Sequence, residues 1–109
     1  MACNLISPAQ AYPVAATYTQ LYVVPALTTS VVSSIIICNQ SGVKDTIRIS
    51  IRVGGAIDST KDKIYYDLPV DKNDTFIATI GITLSTTDEV WVYTTNGTCS
   101  FNLFGQENT

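Results

Sequence analysis

A chain of 109 residues is enough for one domain with a modest core, and its 14% of charged residues is low for a soluble fold. The net charge is −3, and the six Lys and Arg are spread along the chain without forming a run, which argues against a nucleic-acid binder that must neutralise phosphates. Histidine is absent, which removes the commonest general acid/base, metal ligand and pH switch.

No charged residue precedes Lys44. Residues 1–17 hold Pro8 and Pro13, small polar residues and scattered apolar ones, with neither strand nor helix period. Disordered tails are usually polar and charged, whereas this segment carries Leu5, Ile6, Tyr12 and Val14 and no charge. It reads as an extended N-terminal arm that docks on another subunit, ahead of a β-sandwich domain over residues 18–109. Its candidate partner-binding residues are Leu5, Ile6, Tyr12 and Val14, continued by Tyr18. The segment lacks the basic start and unbroken apolar run of a signal peptide, and no stretch is long enough to span a membrane.

From residue 18 onward the period is two. Strands are expected at 18–24, 30–38, 46–53, 64–70, 75–82, 89–95 and 98–104. "TIRISIRV" sets Ile47, Ile49, Ile51 and Val53 against Thr46, Arg48, Ser50 and Arg52, a core face and a wet face. "FIATIGITL" groups Phe76, Ala78, Ile80, Ile82 and Leu84, and "CSFNLF" groups Cys99, Phe101 and Leu103. The expected core includes Ile47, Ile49, Ile51, Ile80, Val90, Val92 and Phe101. "VVSSIIIC" would be buried on both faces, or on one face with a neighbouring subunit over the other, because such a strand left bare invites aggregation. Asn96-Gly97 is a type I′ hairpin signal, and residues 56–63 form a charged loop with room for one short turn. About seven short strands with turns between them predict an all-β antiparallel sandwich, jelly-roll or Ig-like.

Catalytic and metal chemistry find little support. The carboxylate pairs Asp71/Asp74 and Asp88/Glu89 sit in turns, where Asp bonds to local backbone. Asp58, Asp62 and Asp67 miss the calcium-loop spacing, and Cys3, Cys38 and Cys99 match no zinc pattern. Cys38 and Cys99 read as buried thiols, with a disulfide between them the alternative; Cys3 is the better candidate for a bond between chains. No catalytic residue, metal or cofactor is expected. Trp91 and Tyr93 share a strand face, and Tyr66 points away from Tyr65. These aromatics are candidates for core packing, for an interface or for a ligand platform such as a sugar would use.

The order "LYVVP", "VVSSIIICNQSG", "TIRISIRVGGA", "KIYYDLPVDKNDTFIATIGITLSTTDEVWVYTTNGTCSFNLFGQE" resembles small β-sandwich virion structural proteins of tailed bacteriophages, including phages of cyanobacteria. The resemblance covers roughly residues 20–107 and rests on structural motifs, not on an active site. It implies a non-enzymatic virion part made in the host cytoplasm, foremost a capsid cement or decoration protein bridging capsomers. The expected partners are the chain's own copies, as a homotrimer through uncharged sheet surface, and the major capsid protein or other virion proteins. A tail-fibre, neck or baseplate module is the alternative, and a carbohydrate-binding module using Trp91, Tyr93 or Tyr66 is the second. No nucleic acid or membrane partner is expected.

Overall fold

The computed structural model describes residues 3–57 and 60–109. They form eight strands: β1 (Cys3–Ala11), β2 (Thr19–Val23), β3 (Thr29–Asn39), β4 (Asp45–Arg52), β5 (Lys63–Val70), β6 (Thr75–Leu84), β7 (Glu89–Thr94) and β8 (Cys99–Asn108). Two four-stranded sheets result, ordered β1-β8-β3-β6 and β2-β7-β4-β5, with every pairing antiparallel. Only β4 and β5 follow one another within a sheet; every other connection crosses between the sheets. That is the eight-stranded jelly roll, which selects one of the two sandwich types expected. A short 3-10 turn at Thr60–Asp62 falls in the charged loop, as anticipated.

The alternating residues meet between the sheets. Val32, Ile35, Ile37, Ile47, Ile49, Val90, Val92, Cys99, Phe101 and Leu103 are fully buried, while Ile51 and Ile80 are half-buried against them. Val53 departs from the pattern and is 70% exposed, because β4 ends at Arg52 and a 3-10 turn follows. β3 buries its core face, and its other side, with Val31, Ile36 and Cys38, stays partly open.

Two expectations need correction. The first is the arm. Residues 3–11 are an edge strand paired along β8, from Cys3 opposite Asn108 to Ala11 opposite Phe101. Ile6, Ala9 and Ala11 pack on the core, so burial within the domain accounts for much of this uncharged segment. Pro8 is tolerated because β1 lies at a sheet edge and its register slips between Ile6 and Ala9. The following residues are also tied down: the Ala16 N–H donates to the Thr94 carbonyl at 2.8 Å. The second is the hairpin. Gly97 has φ +72° but Asn96 has no positive φ, so the turn is not type I′. It carries the chain from β7 in one sheet to β8 in the other.

One glycine is required by close approach. Gly105 lies opposite both Ile6 and Val32, where β1 and β3 each slip register, and a Cβ there would stand 2.3 Å from the Val31 carbonyl oxygen.

The two sheets are also joined by a polar tie. The Tyr22 hydroxyl of β2 hydrogen-bonds to the Glu107 carboxylate of β8 and lies 2.8 Å from the Ser30 hydroxyl of β3. Burial, and then the neighbouring carboxylate, push the Tyr22 phenol from 10.0 up to about 12. A raised pKa means that the folded state holds the proton more tightly than the unfolded chain. The tie therefore contributes full stability below pH 10, lost as the pH climbs to about 12. The urea midpoint should fall across that window, and Tyr22→Phe should flatten part of the fall. An equally steep fall in the variant would contradict this. The remainder belongs in part to the Cys99 thiol, which burial and then Asp45 push up to about 12.

Candidate interaction surfaces

The outer face of the β2-β7-β4-β5 sheet collects the aromatics and three cations. Arg48 and Tyr93 are cross-strand neighbours, as are Ser50 and Trp91, and Arg52 and Glu89. On β5, Tyr66 and Asp67 lie between Tyr65 and Leu68 where β4 has the single residue Arg48, and Asp67 adopts φ +55°. This bulge turns Tyr66 and Asp67 toward Arg48. The Arg48 Nε donates to Asp67 Oδ1 at 2.7 Å, and its guanidinium carbon lies 4.1 Å from the Tyr66 ring centre and 4.4 Å from that of Tyr93. Arg52 sits 4.0 Å over Trp91, whose indole N–H donates to Glu89 at 2.7 Å.

Tyr18 lies across this array. Its ring centre is 4.8 Å from that of Tyr93, and its hydroxyl accepts from Arg48 at 3.3 Å. Ser50, between the two arginines, is fully buried. The Asp67 hydrogen bond raises the Arg48 pKa further, against a smaller opposing effect of burial. Lys63 pairs with Asp62 at 2.7 Å. Arg48 and Lys63 are thus each paired with a carboxylate on this face, and Arg52 lies over Trp91. The guanidinium groups occupy ring faces of Tyr66, Tyr93 and Trp91 that a stacked sugar would use.

The outer face of the β1-β8-β3-β6 sheet is the opposite case. Its four strands contain one charged residue, Glu107, and that carboxylate is engaged by Tyr22. The pairing registers lay the outward side chains in four rows across the sheet. They are Leu5–Gln106–Val31–Thr83, Phe104–Ser34–Thr79, Gln10–Asn102–Ile36–Ile77, and Ser100–Cys38–Thr75. No row holds a charge. Leu5 is 85% exposed and Ile77 58%. At one end Tyr12, Gln10, Gln40, Ser100 and Asn102 line a shallow cleft of about 500 Å³.

The residues expected on an arm thus fall in separate places. Leu5 is on the uncharged face, Ile6 packs on the core and Tyr12 lines the cleft. Val14 is exposed in the β1–β2 connection, and Tyr18 lies on the arginine face. Sequence reasoning missed Arg48 and Arg52 as partners of the aromatics. Their place opposite Tyr93 and near Trp91 follows from strand register, which the alternation alone does not supply.

The acids act as turn and pair formers. Asp71 and Asp74 accept from the next residue's N–H at 2.8 Å. Asp88 accepts from Gly54 N–H at 2.8 Å and Ser85 N–H at 2.9 Å. Among the described residues no three His, Cys, Asp or Glu side chains gather as a metal site, and Cys38 and Cys99 are free thiols. Asp58 lies outside the described residues. Among the described residues no helix is long and apolar enough to cross a membrane. Comparison with protein-family models, curated proteins and solved structures finds no match for the chain.

Proposed function

We propose that this chain is a non-enzymatic structural subunit of a virion, a capsid cement protein that joins its own copies as a homotrimer and bridges major capsid proteins. The observation that carries the reading is the uncharged outer face of the β1-β8-β3-β6 sheet. Protein interfaces are depleted in Lys, Glu and Asp at their centres, because charges taken from water must be paired to offset their desolvation. A face of mixed apolar, amide and hydroxyl groups avoids that cost. The resemblance to phage structural proteins supplies the virion context.

Four strands about 4.8 Å apart and roughly 30 Å long give a flat area of about 570 Å². That is short of the ~800 Å² per partner of a standard interface. A single contact of this kind is weak, and a homotrimer engaging a lattice through several of them gains by multivalency.

The test is sedimentation of the wild-type chain beside an Asn102→Lys/Gln106→Lys variant. Both substitutions stand on the outer side of β8, so the core is untouched. The wild type is expected as a trimer or a multiple of one, and the variant as a folded chain that has lost the three-fold association. A monomeric wild type, or a variant that assembles unchanged, would refute the reading. Counting the chain in purified particles separates the alternatives. Many copies over the head mean cement, whereas a few at a vertex or tail mean a neck, fibre or baseplate part.

A further inference from the structure

The sheets present four edges, β1, β6, β2 and β5, and three of them carry features that discourage pairing with another strand. β1 has Pro8 and a register slip. β2 is five residues long with a slip between Gln20 and Tyr22. β5 has Lys63, Pro69 and the bulge at Tyr66 and Asp67. Proline, charge, shortness and bulges are the usual protections of a sheet edge.

β6 differs. It runs ten residues, "TFIATIGITL", with no proline and no charge. Its one irregularity places Ile80 and Gly81 together opposite Ser33 of β3. The first half, Thr75–Thr79, pairs without interruption with Ser34–Cys38. At the centre of this regular stretch stands Ile77, the large apolar residue on the outer side of β6, 58% exposed.

We infer that β6 is a docking edge for a second copy of this chain, pairing antiparallel with its counterpart about a two-fold axis through Ile77. The occupant follows from the edge's own chemistry. A two-fold at Ile77 sets Ile77 against itself, Thr75 against Thr79 of the copy, and Phe76 against Ala78 of the copy. These are a β-branched apolar pair, a Thr–Thr pair and a large-to-small pair, each a favourable cross-strand combination. No like charges oppose one another, because the segment has none. Pairing stops where the bulge at Ile80 and Gly81 diverts the edge. The result is one continuous sheet across two subunits, and the exposed backbone donors and acceptors of β6 are satisfied by their equivalents.

This inference rests on the reading that copies of the chain assemble, and adds a two-fold edge contact to the face contact. Disulfide trapping in the full-length chain tests it, with oxidised glutathione as oxidant and the wild type, with its native cysteines, as background. Residues directly opposite in an antiparallel pair have Cα atoms about 4.5–5.5 Å apart, within disulfide reach. Ile77→Cys should give a covalent dimer as the main product. With Cys38→Ser added, because Cys38 stands opposite Thr75 in the same chain, Thr75→Cys and Thr79→Cys should each stay at the wild-type level, and the Thr75→Cys/Thr79→Cys variant should cross-link. If Ile77→Cys traps no more dimer than the wild type, or the single Thr variants trap as much, the pairing is overturned. The Asn102→Lys/Gln106→Lys variant separates the two contacts. Loss of assembly in that variant, with no trapping by Ile77→Cys, leaves the face reading standing and removes the edge. Trapping by Ile77→Cys, with the face variant still assembled, does the reverse.

Discussion

Deleting residues 1–11 is expected to destabilise the domain severely rather than release a dispensable arm. The deletion removes β1, and with it Ile6, Ala9 and Ala11 from the core and the whole pairing partner along one side of β8. Burying one Ile side chain fully gives roughly 1.5–3 kcal/mol, and the two alanines add less. The larger loss is on β8. Phe101 and Leu103, both fully buried, lie opposite Ala11 and Ala9, so the truncated chain opens the side of its own core. A total loss of about 3–6 kcal/mol is large against the ~5–15 kcal/mol by which small domains are stable. The urea midpoint should drop steeply, and the truncated chain should bind an apolar dye. A truncated chain that unfolds at the wild-type midpoint would show that β1 is peripheral.

The reason this strand escaped the sequence reading is physical. Period-two alternation identifies a strand only while its register is unbroken. Ile6, Ala9 and Ala11 all turn inward, and the first two are three residues apart because β1 slips between them. That slip, with Pro8 inside it, erases the alternation. β3 slips between Val32 and Ser34 too, yet its long apolar run kept it legible. The other seven strands have turn residues at their ends and alternation within, and six of those expected lie within two residues of the observed bounds at both ends.

Sheet membership was less legible. Asn96-Gly97 carries the local chemistry of a hairpin, but β7 and β8 belong to different sheets, and nothing within a few residues records that. The uncharged face has the same character. The lack of charge before Lys44 is visible in the sequence. That β1 and β3 join the equally uncharged β6 in one sheet, with β8 between β1 and β3, is a property of pairing. The arginine–aromatic cluster needed the registers of β4, β5 and β7 together, and a bulge at Asp67 with no distinctive residue signature.

The turn that replaced the expected hairpin is held by a buried carboxylate, and its removal is the second large effect expected. Asp45, at the start of β4, is 1% exposed. It accepts hydrogen bonds from the N–H groups of Thr46 at 2.7 Å, Asn96 at 2.9 Å and Thr98 at 3.2 Å, and from the Thr98 hydroxyl at 2.8 Å. Two of these N–H groups belong to the β7–β8 crossover, so one side chain fixes the path of the chain between the sheets. Asp45→Ala leaves them without their acceptor. At ~1–3 kcal/mol for each buried group left unsatisfied, the variant should lose about 3–5 kcal/mol. Asp45→Asn keeps the volume but turns an amide toward donors, so it should recover only part of the loss. The pH dependence checks the mechanism. Burial alone would raise the carboxyl, but the Asn96 N–H, the Thr98 hydroxyl and N–H and the Thr46 N–H together hold it below its ordinary value of 3.8. A lowered pKa contributes stability above the unfolded value, lost as the pH falls through the folded one. Wild-type stability should therefore decline below about pH 4 more steeply than that of Asp45→Ala, with the two curves converging in acid. Parallel curves would show that Asp45 acts by packing and not by charge. The Cys99 thiol gives an independent readout, since its sulfur lies 3.7 Å from the carboxylate that helps to raise its pKa. Its thiolate should form at lower pH in Asp45→Ala, and an unshifted alkylation profile in a folded variant would remove Asp45 from the account of that thiol.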